Sequence, residues 1–75
     1  MDELEAIRKR RANEHRHGDV RKACERAGVS STTFQSAIRA TRFADLTDKE
    51  LKAIKAYLAI LDERIAEIEE LKKTL

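Results

Sequence analysis

From Thr47 to Leu75 the chain contains neither glycine nor proline, and this stretch opens on the strongest helix-start signal in the sequence. Thr47-Asp48-Lys49-Glu50 reads as a capping box: the threonine hydroxyl accepts from the amide three residues on, and the glutamate reaches back to the cap amide. Leu46 and Leu51 have the spacing of the hydrophobic staple that accompanies such a box. A helix from 48 to 73 is roughly 40 Å long at 1.5 Å per residue. Everything else in a chain of 75 residues has to pack against it.

The rest of the sequence is also helical in pattern. No proline, two glycines and 4% aromatic residues do not supply the turns and rings of a β-sandwich or barrel. The length allows one small domain and excludes a Rossmann-type or barrel enzyme. A monomer of this size buries only about 60% of its unfolded surface, so pairing with another chain is an economical way to gain stability. One cysteine forms no disulfide within the chain, which suggests a reducing, cytoplasmic setting. No apolar run approaches the roughly 20 residues of a membrane span, and no signal-peptide pattern opens the chain.

Three shorter helices are expected before the long one. The first, about 2 to 16, has acids at its start and bases toward its end, which suits the helix dipole. Its apolar stripe is narrow, chiefly Leu4 and Ile7. Gly18 breaks it, and Asp19 is the expected N-cap of a helix from 20 to 27, accepting from amides two or three residues on. Val20, Ala23, Cys24 and Ala27 share one face of that helix. They are small enough to let another helix approach closely. Gly28 stands where a left-handed C-terminal residue is wanted. Ser30 caps a third helix, 31 to 40, with Val29 and Phe34 as its staple, and Phe34, Ala37 and Ile38 inward. The expected fold is all-α: a unit at 1–46, closed and paired by the helix at 47–75, in one compact domain.

Charge is strongly segregated. Ten basic residues against three acidic ones fall between Arg8 and Arg42, a net +7, whereas the segments before and after are net acidic. A basic block beside a near-neutral segment is the layout of a chain that meets a polyanion with one part and protein with another. The run Arg8–Arg11 reads either as a rail along DNA or, slightly preferred, as a solvated helix face.

The passage from Val20 to Arg39 has small residues in its first helix, glycine at the turn, a β-branched residue after it and Ala37-Ile38 closing the second helix. It resembles the DNA-binding helix-turn-helix of phage Cro and repressor proteins, and similar motifs of small resolvases and transposases. The resemblance covers Gly18 to Ile38. It implies a sequence-specific regulator of duplex DNA on a phage or mobile element, cytoplasmic and nucleoid-associated. By position in the motif, Ser31, Thr32, Gln35, Ser36 and Arg39 face the major groove. There Gln35 can pair with adenine and Arg39 with guanine. Arg16, His17, Arg21, Lys22, Ser30 and Arg42 are the candidates for phosphate. Two positions depart from the pattern. Cys24 stands where alanine is usual, and Val20 replaces a phosphate-binding glutamine, so that role moves to Arg21 and Lys22.

On the long helix a heptad reading puts Leu51, Leu58, Ile65 and Lys72 at a, and Ile54, Leu61, Ile68 and Leu75 at d. Leu51, Ile54, Tyr57, Leu58 and Leu61 are expected to close the core over Phe34, Ile38 and Phe43. A homodimer interface is expected at Leu58, Leu61, Ile65, Ile68, Leu71 and Leu75. In a parallel coiled coil Glu50 would face the partner's Lys55, and Arg64 the partner's Glu69, which mildly favours that orientation. Two other readings stand beside a dimeric repressor: an architectural factor that bends DNA for recombination, and a helical adaptor or antitoxin-like module whose function is the apolar strip.

No enzyme chemistry is legible. His15 and His17, two residues apart, do not share a helical face, and with Cys24 alone they make a poor metal set. Cys24 holds a packing position, the glutamates at 67, 69 and 70 form a solvated helix end, and no glycine-rich phosphate loop occurs. No cofactor, metal, membrane or small-molecule substrate is expected.

Overall fold

A computed structural model describes residues 2–75. They form four helices, α1 (Glu3–Glu14), α2 (Asp19–Ala27), α3 (Ser31–Arg39) and α4 (Asp48–Thr74), with a single 3₁₀ turn at Phe43–Asp45 before the last. Among the described residues there is no strand. The longest dimension, 44 Å, is that of α4.

The capping box is present as the sequence reading has it. Glu50 N–H donates to Thr47 Oγ1 (3.2 Å) and Thr47 N–H to Glu50 Oε1 (2.9 Å). Of the staple, Leu46 is buried while Leu51 stays exposed. One core gathers residues from all four helices: Leu4 and Ile7 of α1, Ala23 and Cys24 of α2, Phe34, Ala37 and Ile38 of α3, and Ala53, Ile54, Tyr57, Ile60 and Leu61 of α4. The buried positions of α4 follow the 3.6-residue period of a helix packed on its own domain. Leu51 therefore lies outside the core and Leu58 is only half-buried, while Ile60 and Ala53 are inside. Leu61 is 1% exposed, so it belongs to the core and not to a dimer interface.

The start of α2 differs from the expectation. Gly18, at φ +90°, takes the cap position, and Asp19 is the first helical residue. The Asp19 carboxylate does not cap the amides that follow. It accepts from the Arg16 backbone N–H (2.8 Å) and from Arg64 of α4, and it is 1% exposed.

Of the basic run on α1, Lys9 is exposed, while Arg8, Arg10 and Arg11 are half-buried and turned to the domain, which departs from a wholly solvated face. Leu4 and Ile7 are the only buried residues of α1, too little apolar surface to hold the helix, and arginines complete the docking. Arg8 donates to the carbonyls of Ile38 and Ala40 at the end of α3. Arg10 bridges Glu14 and, on α4, Asp62. Arg11 lies 5.7 Å over the Phe34 ring, a cation–π contact that covers the core. Long side chains that bury their stems while satisfying carbonyls and carboxylates do the work that a wider apolar stripe would otherwise do.

Candidate nucleic-acid interface

The corner between α2 and α3 is fixed by its backbone. Gly28 has φ +70°, a left-handed conformation open to glycine at no steric cost. Its N–H donates to the Glu25 carbonyl (3.3 Å), and the Val29 N–H to the Cys24 carbonyl (3.0 Å). This pair of bonds is the Schellman closure of a helix end. Ser30 Oγ then accepts from Thr33 N–H (3.3 Å) to start α3. The Cys24 thiol donates weakly to the Ser30 carbonyl across the corner (3.6 Å). Burial pushes that thiol up from its ordinary pKa, which leaves it a protonated packing group, as its position in the motif implies.

With Phe34, Ala37 and Ile38 buried and the Phe34 ring 5.0 Å from that of Tyr57, the inner face of α3 is packed against the domain. Its other side is open: Ser31, Thr32, Ser36 and Arg39 are exposed and Gln35 is half-buried. Four of the five expected base-facing residues, Thr32, Gln35, Ser36 and Arg39, line one shallow groove of about 610 Å³, whose other wall includes Thr41, Asp45 and Glu50. Ser31 is on the same helix but does not line the groove.

That second wall was not foreseen. Ser36 Oγ donates to Glu50 Oε2 (2.9 Å), so its hydroxyl hydrogen is already committed. The Thr47 amide, then Ser36, hold the Glu50 carboxyl below its usual pKa, and the groove keeps a negative charge on one rim. The capping box made this residue legible as a cap. Nothing local said that the second carboxylate oxygen would reach α3, 14 residues back.

The expected phosphate set is divided. Arg16, His17 and Lys22 line a different groove, of about 380 Å³, with Asp19, Arg26, Glu63, Arg64 and Glu67. Two positive charges in it are neutralised, Arg26 by Glu63 (2.6 Å) and Arg64 by Asp19. Arg21 is exposed and 3.2 Å from Glu25, a surface pair that little energy holds. Ser30 is taken up in capping, and Arg42 is exposed on the connector. None of the expected phosphate residues lines the α3 groove.

Two further polar contacts tie the helices together. The Tyr57 hydroxyl, wholly buried apart from this bond, is hydrogen-bonded to His15 Nδ1 (2.8 Å). Arg64 also donates to the Glu14 carbonyl (3.0 Å). Among the described residues no three of His, Cys, Asp and Glu gather as metal ligands would, and no helix is long and apolar enough to cross a membrane. No protein family, curated protein or solved structure matches the chain.

Proposed function

We propose that the chain binds duplex DNA through the outer face of α3 and acts as a dimeric, sequence-specific regulator of the repressor type. The observation that carries this reading is the presentation of Thr32, Gln35 and Arg39 along one groove, on a helix whose inner face is buried and whose two ends are fixed by Gly28 and Arg8. A helix held in this way fits the major groove, where Gln35 recognises adenine and Arg39 guanine, each for roughly 1–3 kcal/mol of discrimination. Arg16, His17, Arg21, Lys22 and Arg42 remain the phosphate contacts of this reading. Ser36, tied to Glu50, becomes a positioning residue instead of a base contact. Dimerisation through α4 would add avidity through effective concentration.

Selection of bound duplexes from a random pool tests it. An enriched motif is expected, with Gln35→Ala/Arg39→Ala relaxing the preference and Arg21→Ala/Lys22→Ala weakening all sequences alike. Failure to bind any duplex even at low salt would end the proposal. A second reading, a protein adaptor without DNA readout, is favoured by one observation: Ile65, Ile68, Leu71 and Leu75 are exposed on α4. It gains if the pool returns nothing while the chain still captures a partner.

A further inference from the structure

Among the described residues nothing lies over two apolar surfaces. One is a groove of about 530 Å³ between α1 and α4, walled by Ala6, Ile7, Phe43, Leu51 and Leu58. The other is the end of α4. Arg64 makes the last hydrogen bonds from α4 to α1 and α2 among the described residues, and no residue from Ile65 to Leu75 is buried. Ile65, Ile68 and Leu71 are 45%, 39% and 65% exposed. Unpaired apolar surface of this kind marks an interface.

We propose that the overhanging end of α4 in one copy lies antiparallel in the α1–α4 groove of a second copy, and reciprocally, with the two-fold axis passing near residues 61–62 of both helices. This deepens the pairing in the functional reading above and fixes its orientation. In a two-fold contact, two different patches on one chain can satisfy each other twice, and the assembly closes. Here the groove of each copy takes the overhang of the other and neither surface is left bare. A parallel pair sets overhang on overhang and leaves both grooves empty.

Charge agrees with the antiparallel choice. The groove carries Glu3 and Lys55 on its rims, and the overhang carries Glu69 and Lys72 beside its apolar residues. None of these four belongs to an ion pair among the described residues. With the axis near 61–62, Lys55 comes level with the partner's overhang close to residue 69. At 100° per residue Lys55 and Glu69 lie on the same flank of α4, and antiparallel helices meet with like flanks together. The groups that would suit a parallel pair are consumed within the chain. Glu50 is held by Thr47 and Ser36, and Arg64 by Asp19 and the Glu14 carbonyl.

Sedimentation equilibrium of the full chain tests the arrangement. A dimer is expected, whose dissociation constant Lys55→Glu raises about tenfold and the further Glu69→Lys in the same chain brings back to within about threefold. Both residues are exposed, and circular dichroism of each variant is the check that it folds. Leu71→Lys, at a position outside the core, serves as an independent variant and should leave a folded monomer. In a Cys24→Ala background, Leu75→Cys should form no disulfide-linked dimer, since antiparallel helices hold the two positions about 40 Å apart. A chain that stays monomeric at about 1 mM, a Glu69→Lys change that does not rescue, or quantitative disulfide formation at position 75 overturns the proposal. DNA binding is read separately, so a dimer of this form without DNA affinity sinks only the DNA reading.

Discussion

Replacing Arg64 by alanine removes a side chain whose hydrogen bonds join three helices. Its guanidinium donates to Asp19 in the first turn of α2 and to the Glu14 carbonyl at the end of α1. Burial alone would push the Asp19 carboxyl up, but Arg64 and the Arg16 amide outweigh it, and the group stays below its usual pKa. Without Arg64 a carboxylate 1% exposed keeps a single amide donor and loses its hydrogen-bonded counter-ion. Breaking a buried pair from one side costs about 3–5 kcal/mol. The Arg64 side chain is 17% exposed, so that end is partly solvated and about 3 kcal/mol is the better figure. A domain of this length has roughly 4–11 kcal/mol in all, and the loss should lower Tm by at least about 12 °C. Asp19→Ala should cost less, because the freed guanidinium can turn to water while a buried carboxylate cannot. The pH dependence has a definite sign. A carboxyl lowered on folding contributes stability that is present above its unfolded pKa of about 3.9 and lost as pH falls through the folded value. Both penalties should therefore shrink in acid. Urea denaturation followed by circular dichroism, at one protein concentration and at neutral and acidic pH, measures this. An Arg64→Ala variant within about 0.5 kcal/mol of the parent, or a penalty unchanged in acid, would refute the reasoning.

Three other substitutions have definite expected outcomes. Gly28→Ala should cost about 1–2 kcal/mol in a urea melt, the price of a left-handed residue with a Cβ, because an added Cβ there meets nothing within 4 Å; a larger loss would point to an unseen contact. Thr47→Ala removes half of the capping box and should cost about 1 kcal/mol by thermal denaturation, with Thr47→Ser restoring most of it. Glu50→Gln keeps the box but takes a negative charge off the α3 groove, so the proposed DNA affinity should rise by up to about 1 kcal/mol. In a fluorescence titration an unchanged affinity would place the duplex away from that rim.

What the sequence made legible was local. The capping box at Thr47, the turn at Gly28 and the inward trio Phe34, Ala37 and Ile38 each depend on residues within a few positions of one another, and each stands as expected. The heptad on α4 was legible too, but it contains two adjacent apolar lines. Which of them turns inward is decided by where α1, α2 and α3 lie, and no short spacing encodes that. The domain takes Ile54 and Leu61, together with Tyr57 and Ile60, and leaves Leu51 and Ile65 outside. Asp19 looked like a cap for the same reason: its local options were visible and its partner, 45 residues away, was not.

The same distinction changes the meaning of the charge. A net +7 between Arg8 and Arg42 suggests a broad polyanion surface when every arginine is counted as free. In the folded chain Arg8 and Arg10 are spent on α3 and α4, Arg11 lies over Phe34 and Arg26 is paired with Glu63. Exposed and at most weakly paired are Lys9, Arg16, Arg21, Lys22, Arg39 and Arg42. Since each phosphate neutralised contributes about −0.9 to the slope of log K against log salt, these six groups of the 8–42 block account for a slope of at most about −5 per chain, and less if the two grooves do not touch one duplex together. Titration of duplex binding at several salt concentrations measures that slope. A value per chain well beyond −5 would mean that cations outside this set, the exposed lysines of α4 or arginines docked inside the fold, also reach the DNA, and the contact would not be confined to α2, α3 and their connectors.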